Sequence, residues 1–309
     1  MKKLDFSPLT VFSISVVFLG IGFLLQNPKF FLPGEMLNAP GASIIDGMSD
    51  WLGQTYRDTG FARRAMLGTL LSPLGEFGYP IYVGLSTAAA LFLLWSISQS
   101  PLGLVFAIAP FGAQNVGWMF GRFDWINLAL LILALKVSNR IAVSALLCLM
   151  LLIHEASLFY AVPLVCAVRR QILIAPLALG AALALFGNST VDALGATRGV
   201  FEFRLSYVFI GSLLFAAGIL ARYAKSFDRI TLSALAPLAV LCLWILGYDA
   251  SRWVTILAAS CCITLVAMGR TEPRHTPLDL PLAMVQLGPL GVVELFPVLT
   301  DLRALMGRV

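Results

Sequence analysis

The residues able to do chemistry in this chain are carboxylates, arginines and one histidine. They come in short polar islands between long apolar runs. His154 and Glu155 are adjacent within LLCLMLLIHEASLFY, Arg122 and Asp124 lie in GRFDW, and Asp249 and Arg252 stand three apart in YDASRW. The stretch from Asp46 to Arg64 also holds Asp50, Arg57, Asp58 and Arg63, and the stretch from Asp192 to Arg204 holds Arg198 and Glu202. A positioned carboxylate or imidazole takes the proton from an attacking hydroxyl. Guanidinium forks grip phosphate oxygens and stabilise a departing phosphate. Such a set fits a substrate with an anionic head and an apolar tail. Simpler roles stand beside this one. Asp249 and Arg252 are spaced to pair across one helical turn. A lone buried histidine is often a packing residue. Arg63 and Arg64 suit anchors on lipid phosphates. Glu35, Glu76 and Lys29 read as ordinary loop charges.

Several chemistries are excluded. H-E-x-x-H fails because position 158 is leucine, and neither G-x-S-x-G nor G-x-x-x-x-G-K-[ST] occurs. With two histidines there is no multi-histidine metal centre, and the five cysteines all sit inside apolar runs without metal-site spacing. The glycines flanking Arg198 in GATRG are too weak a signal for a phosphate loop. No cofactor is expected, and a divalent metal is left open.

The elements that position these residues follow from composition. Of 309 residues, 59% are hydrophobic and 12% charged, against about 25% charged in a soluble domain. Mean hydropathy is +0.90. A soluble enzyme is ruled out. Recurrent apolar runs predict an all-α, polytopic integral membrane bundle, and a β-barrel would alternate instead. The net charge of +5 is scattered, so nucleic acid is not an expected partner. The first apolar stretch follows Lys2 and Lys3 without a cleavage site and reads as a retained helix.

Apolar segments fall at 9–25, 79–98, 101–119, 124–137, 141–154, 156–168, 171–187, 205–221, 231–247 and 253–269, giving about ten spans in a single transmembrane domain, 1–309. A further segment, 281–299, carries Pro281, Pro289, Glu294 and Pro297 and either spans as an eleventh or lies at the interface. Whether 141–168 is one helix or two decides the sidedness of the second half. Two helices put Lys2, Lys3, Lys136, Arg140, Arg169, Arg170, Arg222, Lys225, Arg229, Arg270 and Arg274 inside, eleven cations against eight outside; one helix leaves seven inside and twelve outside. The positive-inside rule selects two.

This topology sends the polar islands to one side, outside the cytoplasm. Ten of the sixteen acids fall there: Glu35, Asp46, Asp50, Asp58, Glu76, Asp124, Glu155, Asp192, Glu202 and Asp249. The outer loop 26–78 is the richest. Ser43 and Asp46 form a helix-start pattern. Ile44, Ile45, Met48, Trp51, Leu52 and Tyr56 then recur at helical spacing opposite Asp50 and Arg57, which predicts an amphipathic interfacial helix.

The layout resembles GT-C-type membrane glycosyltransferases, with an acidic residue in the first outer loop. More loosely it resembles Wzy- and EpsG-type polysaccharide polymerases, whose outer loops carry functional arginines. FARRAMLG, IHEASLF and YDASRW are similar to segments of bacterial membrane proteins of surface-polysaccharide pathways. The chain departs from the pattern in having no DD, D-x-D or E-x-D pair in the first loop and no large outer loop. The resemblance implies transfer or polymerisation of sugar from a polyprenyl-(pyro)phosphate donor to a glycan or lipid acceptor, on the outer face of a bacterial inner membrane. Asp58 ranks first as base, beside the proposed phosphate cations, followed by Glu155 and Asp50, with His154 also a catalytic candidate. Arg57, Arg63, Arg64, Arg122, Asp124, Arg204, Asp249 and Arg252 are candidates for binding phosphate or sugar. The alternatives are a transporter or flippase for lipid-linked glycans or another anionic solute, and a membrane acyltransferase using His154.

Overall fold

A computed structural model of the chain describes residues 6–26, 55–59, 65–118, 120–186 and 250–272. The regular elements among them are all helical, with no strand. They are α1 (Pro8–Gln26), α2 (Tyr56–Thr59), α3 (Met66–Leu71), a tighter turn (Ser72–Phe77), α4 (Gly78–Ser98), α5 (Gly103–Ile108), a wider turn (Pro110–Gln114), α6 (Asn115–Trp118), α7 (Phe123–Lys136), α8 (Arg140–Ile153), α9 (Ser157–Arg169), α10 (Ile174–Phe186) and α11 (Ala250–Ala267).

Seven of the expected apolar segments are helices with ends within a few residues of those read from sequence. The segment 101–119 differs, because it is not one helix. Ala109 is extended (φ −72°, ψ 142°) ahead of Pro110, and Gly112 is non-helical (φ −95°, ψ −126°). Proline clashes with a helical residue before it, so α5 ends there. The segments 205–221, 231–247 and 281–299 lie outside the described residues, as does most of the expected interfacial helix. Among the described residues one helical stretch, Met66–Ser98, is long and apolar enough to cross a membrane; the further apolar helical stretches, Pro8–Phe23, Arg140–Ile153, Ser157–Arg169, Ile174–Leu183 and Trp253–Ala267, are shorter.

Chain reversals set which ends meet. Asn139 starts α8, its side-chain oxygen accepting from the Ile141 and Ala142 amides at 2.8 and 3.2 Å. His154 is extended (φ −156°, ψ 115°) and ends α8, and Ser157 opens α9. Residues 141–168 are therefore two helices. Arg169, at the end of α9, returns to the end of α7, where its guanidinium donates to the carbonyls of Ala134 (2.8 Å), Leu135 (3.2 Å) and Val137. This offsets unpaired carbonyls at a helix C-terminus.

Aromatic contacts fix the long helices against one another. Phe12 meets Trp95 edge-on with centroids 5.5 Å apart, and Phe23 meets Phe120 the same way at 5.5 Å. α1 and α6 approach so closely that a Cβ on Gly117 would stand 1.9 Å from the Leu19 carbonyl oxygen; only glycine fits there. The middle is α11, buried from Trp253 to Leu265. Its Thr255 accepts from Asn115 at 2.7 Å, and its Cys262 lies beside Ser100. α11 thus runs in the same direction as α7. Lys136, Arg140, Arg169, Arg170 and Arg270 fall at one end of the bundle. The starts of α4, α7, α9 and α11 fall at the other.

Candidate functional site

Polar side chains gather at that second end. Arg122 precedes α7 in an extended conformation, and Asp124 lies in the first turn of α7. Tyr82, fully buried on α4, donates its hydroxyl to the Gly121 carbonyl and packs edge-on to Phe123 at 5.9 Å. Leu67 and Leu71 of α3 close over Tyr82, Phe123 and Ile153. An apolar cap thus lies against the polar groups.

The reversal between α8 and α9 delivers His154 into this pocket of structure. Its Nε2 lies 4.0 Å from Asp124 Oδ1, and both side chains are almost wholly buried. Its Nδ1 lies 3.7 Å from Glu155 Oε2, on a carboxylate that keeps 25% exposure. The Ala156 amide donates to Nδ1 at 3.1 Å. An N–H can donate only to a lone pair, so this bond assigns the ring proton to Nε2, facing Asp124. Nδ1 then has no proton for Glu155, and their approach becomes a hydrogen bond only when a proton reaches one of them. A histidine between two carboxylates, one buried and one at the edge, is an arrangement for moving a proton.

Asn127, one turn after Asp124, holds the reversal. Its Nδ2 donates to Met150 O at 3.0 Å and to Ser157 Oγ at 2.7 Å, and Ser157 Oγ donates to His154 O at 2.8 Å. Tyr82, Asn127 and Ser157 were not singled out from sequence. The available signal was an amide within an apolar helix, three residues from Asp124, and a serine three residues from His154.

Asp58 sits differently. The Thr55 hydroxyl donates to Asp58 Oδ2 at 2.5 Å, and the Asp58 amide returns a bond to Thr55 Oγ1 at 3.3 Å. This reciprocal pair starts the one-turn helix α2. Asp58 and Arg57 are both exposed. The Tyr56 amide donates to Thr69 Oγ1 at 2.8 Å, tying α2 to α3, and burial pushes the Tyr56 phenol above its ordinary range. The structure therefore unites Asp124, His154 and Glu155, with Arg122 beside them in the chain, and gives Asp58 a local partner of its own. Arg252 lies in the first turn of α11, with its side chain outside the described set. Asp50, Arg63, Arg64, Arg204 and Asp249 lie outside the described residues. Among those described, no group of three or more histidine, cysteine or acidic residues is placed to hold a metal ion.

Comparison with protein-family models, with curated proteins and with solved structures finds no match to this chain.

Proposed function

We propose that this chain is a multi-pass protein of the bacterial cytoplasmic membrane, with about ten spans, that transfers or polymerises sugar from a polyprenyl-(pyro)phosphate donor on the outer face. The membrane part of the reading rests on composition and on the helix surfaces. Leu9 and Val17 on α1, Leu85 and Trp95 on α4, Leu133 on α7, Ile141 on α8, Phe159 on α9 and Leu185 on α10 are all exposed. Large apolar side chains turned outward around a bundle suit lipid better than water.

The observation that carries the transferase reading is the convergence of Asp124, His154 and Glu155 at the end opposite Lys136, Arg140, Arg169 and Arg170. Glu155 is the best placed base. Nδ1 of His154 already accepts from the Ala156 amide and Asp124 is buried, whereas Glu155 reaches the edge. In the proposed step the acceptor hydroxyl gives its proton to Glu155 and its oxygen attacks the anomeric carbon. The bond from that carbon to the phosphate oxygen breaks, and the electron pair leaves with the phosphate. Arg122 and Arg252, with Arg63, Arg64 and Arg204, are the cations available to receive that charge. His154 lies behind Glu155, its Nδ1 3.7 Å from Oε2. This order places Glu155 above Asp58 and Asp50.

The test is single-turnover glycan transfer in lipid nanodiscs, with a polyprenyl-pyrophosphate glycan as donor and Glu155→Gln as variant. A general base contributes about 10²–10⁴-fold, and a loss of that size at normal folding is expected. A loss below about tenfold would sink Glu155 as the base. The flippase reading has one observation in its favour, the break between α5 and α6, since interrupted helices line transport sites in many carriers. Movement of a labelled lipid-linked glycan across vesicles, unaffected by Glu155→Gln, would favour it.

A further inference from the structure

We infer that Asn127 is a positioning residue, which sets the angle at which His154 meets Asp124. The inference rests on the proposed reading in which His154, beside Asp124, stands behind the base Glu155. An uncharged amide in the middle of an apolar helix is costly unless its hydrogen bonds are made. Asn127 is fully buried and spends both amide protons on the reversal that carries His154, while its Oδ1 has no partner among the described residues. One goes to Met150 O, in the last turn of α8 (3.0 Å). The other goes to Ser157 Oγ, in the first turn of α9 (2.7 Å). The Ser157 hydroxyl is placed to donate to the carbonyl of His154 (2.8 Å), the nearer of its two acceptors, with that of Met150 at 3.2 Å. The histidine's backbone is therefore held from below by a chain of two hydrogen bonds, and its ring from the side by the Ala156 amide (3.1 Å).

The placement on α7 is what turns a clamp into a positioning device. Asp124 and Asn127 are three residues apart on one helix and so share a face. One rigid element carries both the carboxylate and the bracket that aims the imidazole at it. A 4.0 Å contact is too long for a hydrogen bond, so the angle of the reversal decides whether one forms. The ionisable groups that meet at this end are Asp124 on α7 and Arg122 just before it, Tyr82 and Tyr79 on α4, and Glu155 in the reversal itself; α3 presents Leu67 and Leu71.

The chain has two histidines, so His275→Gln leaves His154 as the only imidazole. Nitrogen-15 histidine labelling of this full-length variant in nanodiscs then reads the titration midpoint of His154 directly. Asp124→Asn is expected to displace the midpoint. Asn127→Ala is expected to displace it in the same direction by at least half as much. The double variant is expected to show little more than Asp124→Asn alone, since the two changes remove one interaction. A midpoint unmoved by Asn127→Ala, or displacements that simply add, would leave Asn127 as a packing residue and overturn the inference. Should Asn127→Ala fail to fold, the Ser157 pair decides. Ser157→Ala should move the midpoint and Ser157→Thr, which keeps the hydroxyl, should restore it. Equal midpoints in Ser157→Ala and the parent would count against the clamp. The titration uses no donor or acceptor, so failure of glycan transfer and failure of this inference are read separately.

Discussion

Tyr82 and Gly121 are joined by a buried hydrogen bond across 39 residues of sequence, the Tyr82 hydroxyl donating to the Gly121 carbonyl. Gly121 has φ +84°, a conformation that costs other residues about 1–2 kcal/mol. The bond pins the turn that leads into Arg122 and Asp124. Tyr82→Phe should therefore destabilise by about 1–3 kcal/mol, the cost of leaving a buried carbonyl unpaired, and should lower transfer as well. Thermal unfolding in detergent, set beside the transfer rate, checks both. An unchanged melting temperature would show that the turn holds without Tyr82.

Asp58 is expected to matter less than Glu155. Its carboxylate is exposed and engaged with Thr55, so Asp58→Asn should reduce transfer by less than about tenfold, under the usual general-base contribution. A loss as large as that of Glu155→Gln would return the role to the first outer loop.

Arg169 makes three carbonyl contacts through one nitrogen. Arg169→Ala should cost about 1.5–3 kcal/mol of stability, the range for hydrogen bonds to charged groups. Arg169→Lys should recover part of that, because an ammonium still donates but on a shorter side chain. Denaturation of the two variants in the same detergent separates the cases, and identical stability of Arg169→Ala and the parent would remove the capping role.

Arg252 opens α11 at the site end. If it binds phosphate by a fork, Arg252→Lys should impair transfer nearly as much as Arg252→Ala. Full transfer by Arg252→Ala at normal protein level would leave it an interfacial or ion-pair residue.

Sidedness is open to labelling. With the five native cysteines replaced by alanine, Asp58→Cys and Arg122→Cys should react with an impermeant reagent from outside. Ser138→Cys and Arg170→Cys should react only from the cytoplasmic side. Labelling of Arg122→Cys from the cytoplasm alone would reverse the proposed topology.

Much of the helix pattern was legible because long apolar runs ended by Asn139, His154 or Arg169–Arg170 leave few ways to fold. The split at His154 came from counting cations, and the chain does reverse there. The break in 101–119 was also written, as Pro110 followed by Gly112, but apolar content masked it. Site membership was harder to read. Glu155, His154 and Asp124 stood out as charges against apolar sequence, yet proximity to arginines in the chain favoured Asp58. Sequence distance says little about which ends of antiparallel helices meet. Nor does a short sequence pattern separate a carboxylate that starts a helix from one that is left for chemistry. Thr55, three residues before Asp58, was the missed sign of the former.

α7 is a strut fastened at both ends. Asp124 and Asn127 engage the reversal at its start, and Arg169 grips its final carbonyls, about 20 Å away for 14 residues. Sliding the helix by a single residue, about 1.5 Å, would break the attachments at both ends together. The register of α7 is therefore set twice, and a shift at either end would have to be matched at the other and across the buried Leu128, Leu131 and Ile132 between them.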